Sequence, residues 1–284
     1  MYARAYIEIT TICNRSCSFC PGTTRPLRRM SLSEFDTVTD RLKGVTEYLY
    51  YHVMGEPLTH PDLPDFIRLA KSKGFKSAIT TNGTLLSKRG RELIEAGVYK
   101  VNISVHSFED GEDSAAHGAY LDQILDFADE ASKSGVLTVL RLWNLDGRSR
   151  EEAHHEHNDA ILDALHKAFP GEWIAHPNGF KIRDRLYLEW GERFDWPSLT
   201  CAPDYGERGT CYGLRDQIGI LCDGTVVPCC LDGEGVINLG NLHRQEMEEI
   251  LNSPRTQAMV CGFAQNRRTE ALCRHCGYSE RFSK

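Results

Sequence analysis

The 284-residue sequence lacks the long apolar runs, basic runs and export signals that mark several classes of protein. No stretch approaches the roughly 20 consecutive apolar residues that a membrane-spanning helix needs, so no membrane partner is expected. Acidic residues outnumber basic ones, the formal net charge is −7 and no basic run stands out, which gives no reason to expect DNA or other nucleic acid as a partner. The amino terminus has no signal-peptide layout, and a cytoplasmic location is expected.

Cysteine, by contrast, is abundant. Eleven cysteines in a long chain without an export signal indicate metal binding in a reducing compartment rather than a disulfide framework. Three of them, Cys13, Cys17 and Cys20, lie on one short segment after the first predicted strand. Three thiolates on one loop can hold three irons of a four-iron cluster and leave the fourth iron open to a small ligand. A zinc knuckle is the alternative interpretation.

From Arg4 to about Trp190, strand and helix patterns alternate. The predicted strands are Tyr6–Thr10, Tyr48–Val53, Lys76–Thr81, Lys100–Val105, Leu137–Trp143 and Phe180–Leu188. The predicted helices are Ser31–Leu42, Leu63–Lys73, Leu85–Ala96, Ala115–Lys133 and Glu151–Phe169. Such alternation predicts an α/β fold with a parallel sheet, curled by right-handed crossovers into a (β/α)6 partial TIM-like barrel. Ligands of parallel sheets bind at the carboxyl ends of the strands, where the first cysteine group lies.

After Trp190 the pattern changes, and a domain boundary is predicted near residue 200, giving domains 1–200 and 201–284. The second domain holds eight of the eleven cysteines. It is predicted to be a small α+β unit with a hairpin, whose strands lie near Gln217–Leu221 and Thr225–Pro228. The Asp223-Gly224 pair between them predicts a type I′ turn.

The first cysteine group, with Phe19 before Cys20 and Pro21-Gly22 after it, resembles the signature of the radical SAM superfamily. In that family the open iron binds S-adenosylmethionine (SAM), and reductive cleavage of SAM yields a 5′-deoxyadenosyl radical that abstracts a substrate hydrogen. Met54-Gly55-Glu56-Pro57 resembles the family's Gly-Gly-Glu motif, with Met54 in place of the first glycine. The resemblance implies an enzyme that uses SAM as its cofactor.

By the same resemblance, six residues are expected to contact SAM: Phe19, Gly55, Glu56, Asn82, Ser104 and Arg141. Gly55 allows the main chain to approach a ligand closely, and Glu56 can accept hydrogen bonds from an ammonium group. Asn82 and Ser104 have ordinary alternatives, because Asn-Gly is a common turn signal and a strand serine is often only structural. Arg141 is expected to pair with the SAM carboxylate or with a protein carboxylate. No catalytic side chain is assigned.

The carboxyl-terminal cysteines resemble the twitch subdomain, a shortened form of the SPASM extension of radical SAM enzymes. The resemblance implies one auxiliary 4Fe-4S cluster, fully ligated by Cys211, Cys229, Cys273 and Cys276, and therefore two 4Fe-4S clusters in the chain. A four-cysteine zinc site is the alternative. Cys222 and Cys230 flank the expected ligands and can replace one of them in the assignment, whereas Cys201 and Cys261 receive no role.

The sequence therefore predicts a radical SAM oxidoreductase with an auxiliary cluster, reduced by an electron donor such as flavodoxin or ferredoxin. Only 12 residues precede Cys13, too few for an amino-terminal leader-binding domain. On that ground a small-molecule dehydrogenation is expected. The alternatives are crosslinking or epimerisation of a ribosomally made peptide and, from another class of protein, a non-catalytic iron–sulfur or zinc module.

Overall fold

A computed structural model of the chain describes residues 1–107, 114–145 and 156–282. It divides into two compact units, one formed by Met1–Ser77 with Phe194–Lys284 and the other by Ala78–Arg193. The domain boundary that the sequence places near residue 200 stays a prediction. Residues 151–155 of the fifth predicted helix lie outside the described residues.

The described strands, in chain order, are β1 (Arg4–Ile7), β2 (Tyr48–Tyr51), β3 (Lys76–Thr81), β4 (Lys100–Ser104), β5 (Leu137–Leu145), β6 (Ile174–His176), β7 (Gly179–Arg183), β8 (Leu186–Glu192), β9 (Gln217–Ile220), β10 (Thr225–Val227) and β11 (Gly240–Asn241). The described α-helices are α1 (Leu32–Arg41), α2 (Leu63–Ser72), α3 (Leu86–Ala96), α4 (Ser114–Lys133), α5 (Glu156–Ala168), α6 (Met247–Leu251), α7 (Pro254–Ala264) and α8 (Ala271–Arg274). None of these helices in the described ranges is both long and apolar enough to cross a membrane.

In the first unit the strands follow the order β11-β10-β9-β1-β2. β1 runs parallel to both β2 and β9, whereas β10 is antiparallel to β9 and β11. Phe35 of α1 stacks on Phe66 of α2 with ring centroids 4.6 Å apart, and it meets Tyr51 of β2 edge-on. The two helices therefore cover one face of β2. Strand alternation places Tyr50 and His52 on the other face, where Tyr6 of β1 contacts both rings.

In the second unit the strands follow the order β3-β4-β5-β8-β7-β6, and β3, β4, β5 and β8 are parallel neighbours. The prediction of one strand over Phe180–Leu188 is wrong. This segment forms the antiparallel pair β7 and β8, which turns at Arg185 with φ +60°. Apolar residues keep the same two-residue phase on both sides of the turn, and no glycine marks it, so the sequence pattern predicted a single strand. β8 is the strand that pairs with β5, and the short strand β6 was not predicted.

The hairpin formed by β9 and β10 confirms a prediction but corrects its turn type. The Gly224 amide donates to the carbonyl oxygen of Leu221 at 2.8 Å, and Gly224 has φ +84°. A type I′ turn also needs a positive φ at the preceding position, and Asp223 does not have one. The connection is instead a three-residue loop whose last residue is a left-handed glycine.

Candidate metal centres

The loop that carries the first three cysteines leaves the sheet just after β1 and is closed at its base. The Met30 amide donates to the carbonyl oxygen of Ile9 at 2.9 Å, and the Thr11 amide donates to that of Arg28 at 3.0 Å. Cys13 and Cys20 are exposed, and Cys17 is half-buried. Phe19, which precedes Cys20, is also half-buried. The structure therefore places the group at the carboxyl end of β1, as predicted.

The segment Met54–Pro57 packs against the same loop base. The Glu56 amide donates to the carbonyl oxygen of Ile12 at 2.9 Å. Gly55 has φ +75°, and a Cβ atom there would overlap the carbonyl oxygen of Thr10. The Glu56 carboxylate is buried and accepts a hydrogen bond from the Leu58 amide at 3.0 Å, which caps the following 3₁₀ turn. Glycine at position 55 thus lets the Met54–Pro57 segment, which carries predicted SAM contacts, approach the loop that carries the predicted cluster ligands.

A Gly55→Ala variant is expected to lose about 2–5 kcal/mol of stability, because left-handed strain and overpacking add. Gly44→Ala is the matched control: Gly44 has φ +76°, but a methyl group added there would meet nothing within 4 Å. It should lose only the left-handed strain, about 1–2 kcal/mol. Anaerobic thermal unfolding measures both, and equal losses would show that Thr10 does not constrain position 55.

Glu8, which the sequence patterns did not single out, is a fully buried carboxylate that ties three segments together. It receives two hydrogen bonds from Arg25, which lies on the cysteine loop, at 2.8 and 2.5 Å. It also accepts the amides of Met54 at 3.2 Å and Cys222 at 3.0 Å. Burial raises the pKa of Glu8, and the Arg25 guanidinium and the two amides oppose that effect. One carboxylate therefore holds the cysteine loop, the Met54–Pro57 segment and the end of β9.

Glu8→Gln is expected to lower the free energy of unfolding by about 3 kcal/mol, because it leaves the largely buried Arg25 cation without its counter-charge. Glu95→Gln is the control, since the Glu95–Arg91 pair is exposed at both ends. It should cost less than about 0.5 kcal/mol. Similar unfolding temperatures for the two variants would contradict a structural role for Glu8.

The remaining predicted SAM residues lie in the second unit. Asn82 is buried, and its side-chain oxygen accepts the Thr84 amide at 3.0 Å, which is a local turn contact. Ser104 is the half-buried last residue of β4. Arg141 lies over the Trp143 ring at 4.6 Å, and its Nε is 3.8 Å from a carboxylate oxygen of Glu189. A protein carboxylate is therefore near Arg141, as one of the two sequence alternatives requires. The SAM contacts of these residues stay predictions.

In the first unit, the four cysteines predicted to hold the auxiliary cluster line one cavity: Cys211, Cys229, Cys273 and Cys276. Cys229 follows β10, and the Cys273–Cys276 pair comes from α8 and the turn after it. Apolar side chains such as Phe263, Leu272 and Ile237 complete much of the wall. Within the described ranges no three His, Cys, Asp or Glu side chains are gathered as for a single metal ion. The four thiols instead surround a shared space.

Burial raises the pKa of each of these cysteines. At Cys229 burial raises the pKa well above its usual value, and the charges of the neighbouring Cys230, Cys211, Cys276 and Cys273 add to that rise. The pKa of Cys276 is raised to about 11. Four half-buried thiols with raised pKa values ionise more readily beside positive charge, so they are suited to a positively charged metal centre, which is bound by thiolates. The donor set therefore fits an iron–sulfur cluster.

Cys222 and Cys230, the alternative ligands, are not among the described residues that line this cavity. Cys222 is buried, and its thiol lies 3.7 Å from the carbonyl oxygen of Ile9. Cys230 packs on an apolar group that includes Tyr6 and Val53. Cys201 and Cys261 are exposed. These positions favour the predicted set of four.

A parallel α/β sheet with a three-cysteine loop after β1, followed by a cavity that four cysteines line, is typical of a class of iron–sulfur enzymes. The profile of the radical SAM superfamily matches residues 7–160, and that of SPASM, an iron–sulfur cluster-binding domain, matches residues 211–277. The chain belongs to the radical SAM superfamily. Membership confirms the resemblance to this superfamily that the sequence motifs indicated, and it implies SAM and iron–sulfur clusters as cofactors. It makes a non-catalytic iron–sulfur or zinc module the poorer interpretation.

Three similar proteins illustrate the range of the family. The antilisterial bacteriocin subtilosin biosynthesis protein AlbA of Bacillus subtilis (strain 168) is 26% identical over 273 residues, covering 89% of this chain and 60% of AlbA. A GTP 3′,8-cyclase of Aliarcobacter butzleri (strain RM4018) is 30% identical over 198 residues, covering 66% of this chain and 55% of the cyclase. The chain thus spans less than two thirds of these relatives. The crystal structure of BtrN in complex with AdoMet and 2-DOIA has a TM-score of 0.61 and 17% identity, covering 97% of this chain and 93% of BtrN. That likeness confirms the predicted partial TIM-like barrel class.

Proposed function

We propose that this chain is a radical SAM enzyme that crosslinks or epimerises a ribosomally made peptide. The similarity to AlbA carries the proposal, because it extends over 89% of this chain and AlbA is named for the biosynthesis of a bacteriocin. Family membership alone gives the reaction type but leaves the substrate open. The peptide, which was the alternative on sequence grounds, thus has more support than the small molecule that was preferred there.

In the proposed enzyme Cys13, Cys17 and Cys20 hold the cluster that binds SAM, and Cys211, Cys229, Cys273 and Cys276 hold an auxiliary 4Fe-4S cluster. When bound, reduced cluster and SAM supply a radical able to take a hydrogen atom from an unactivated carbon. Gly55 keeps the Met54–Pro57 segment close to the loop base, and Glu8 anchors both. The candidate SAM contacts are Phe19, Gly55, Glu56, Asn82, Ser104 and Arg141, and a flavodoxin or ferredoxin is the candidate electron donor.

Dehydrogenation of a small molecule is the second candidate. The observation in its favour is the 30% identity to a GTP 3′,8-cyclase, whose name gives a nucleotide substrate. That match covers a smaller share of this chain than the match to AlbA does, 66% against 89%.

Co-expression with any short peptide encoded beside the gene separates the two candidates. Mass spectrometry should detect the loss of two hydrogen atoms from one peptide for a crosslink, or one deuterium gained from deuterated water for an epimerisation. A Cys20→Ala enzyme is the control for background chemistry. Unchanged peptides, with 5′-deoxyadenosine still formed by the purified enzyme, would overturn the peptide proposal and leave the small molecule.

A further inference from the structure

Arg268 is a buried cation in the wall of the four-cysteine cavity. Its side chain is 1% exposed, and it is the largest of the fully buried side chains in the described ranges. The residue lines the same space as the four thiols. Gly209 makes room for the guanidinium, since a Cβ atom there would come within 2.5 Å of it.

Both terminal nitrogens of Arg268 donate hydrogen bonds. One terminal nitrogen, Nη1, donates to the carbonyl oxygens of Tyr205 at 3.2 Å and Gly206 at 3.3 Å. The other, Nη2, donates to the Glu280 carboxylate at 2.6 Å. Glu280 is about half exposed, with 48% of its side chain accessible, and it is not among the described residues that line the cavity. Arg268, the positive member of this ion pair, therefore lines the cavity, and Glu280, the negative member, is not among the described lining residues.

The guanidinium shares this cavity wall with Cys211, Cys229, Cys273 and Cys276, and its positive charge favours negative charge on their sulfur atoms. A cation in a poorly hydrated site acts more strongly than one at the surface, because water screens it less.

We propose that Arg268 tunes the reduction potential of the auxiliary cluster upward. The inference rests on the proposed binding of a 4Fe-4S cluster by Cys211, Cys229, Cys273 and Cys276. Reduction adds one electron to the cluster, from the substrate radical in turnover or from dithionite in a titration, and breaks no bond. The reduced cluster is the more negative form, so a fixed neighbouring cation stabilises it. Glu280 tempers this effect from the solvent side of the ion pair.

The test is a redox titration followed by electron paramagnetic resonance. The full chain is used with Cys13, Cys17 and Cys20 replaced by alanine, so that only the auxiliary cluster remains. In this background Arg268→Gln should lower the midpoint potential, and Arg268→Lys should restore most of it. Glu280→Gln leaves the cation less neutralised and should raise the potential. Arg255→Gln is the matched control, because Arg255 pairs with Glu270 at 2.8 Å in the same unit but is not among the described residues that line the cavity.

Opposite shifts for the Arg268 and Glu280 variants, both larger than the shift for Arg255→Gln, support the proposal. Glu280→Gln also covers the case in which Arg268→Gln fails to fold, since Glu280 is half exposed. Loaded clusters whose potential does not move in either variant, or moves in the same direction in both, overturn it. A background protein without iron would instead refute the auxiliary cluster itself, and zinc in its place would do the same.

Discussion

Replacing Cys20 with alanine is expected to abolish the reductive cleavage of SAM by the anaerobically reconstituted protein. Cys20 is an exposed residue on a loop that backbone hydrogen bonds close at residues 9–11 and 28–30, so its thiol is not needed for packing. With two thiolates left, the loop no longer holds three irons, and SAM has no open iron to bind. Liquid chromatography of 5′-deoxyadenosine after incubation with dithionite measures the effect. Formation should fall to that of a protein-free control.

Cys201→Ala is the matched control for this experiment. Cys201 is likewise exposed, and it belongs to neither proposed ligand group. Its replacement should leave 5′-deoxyadenosine formation unchanged. If Cys20→Ala retained the activity of the unsubstituted protein while Cys201→Ala lost it, the assignment of the SAM cluster to the first loop would be wrong.

The second large effect is expected for Cys273→Ala, which should remove the auxiliary cluster and leave the SAM cluster in place. Iron should fall from about eight to about four atoms per chain, since each cluster holds four irons. SAM cleavage should persist, because Cys273 lines the carboxyl-terminal cavity and not the loop after β1. Iron and sulfide analysis, with 5′-deoxyadenosine formation on the same sample, measures both effects.

Cys230→Ala provides the comparison within the same segment. Cys230 is adjacent to Cys229 but packs beside Tyr6 and is not among the described residues that line the cavity. Its iron content should stay at about eight atoms per chain. If Cys230→Ala lost iron and Cys273→Ala kept all of it, Cys230 rather than Cys273 would be a ligand of the auxiliary cluster. Loss of SAM cleavage in Cys273→Ala would mean that the two cluster sites are not independent.

Features carried by short stretches of sequence were predictable. The strand pattern placed the first cysteine group after β1, and the helix predicted over Ser31–Leu42 is present as α1, which begins with a capping box of Ser31 and Glu34. Strand β3 begins and ends where the pattern put it, at Lys76 and Thr81. These signals are local, because a cap or a strand pattern depends on residues a few positions apart.

Features that depend on distant segments were missed. Glu8 continues the alternation of β1 and reads as an ordinary strand residue, and its partners Arg25, Met54 and Cys222 come from three other parts of the chain. Arg268 lies in a polar stretch, and nothing next to it indicates burial. A buried charge is identified by its partners, and those are known only after the chain has folded.

Anaerobic incubation of the iron-loaded, unsubstituted protein with dithionite and SAM tests most directly whether the first cysteine loop holds a SAM-cleaving cluster. We predict 5′-deoxyadenosine and methionine in equal amounts, formed only when both reductant and SAM are present. A fully loaded protein that yields neither product, or that carries zinc at the first cysteine loop, would contradict this prediction.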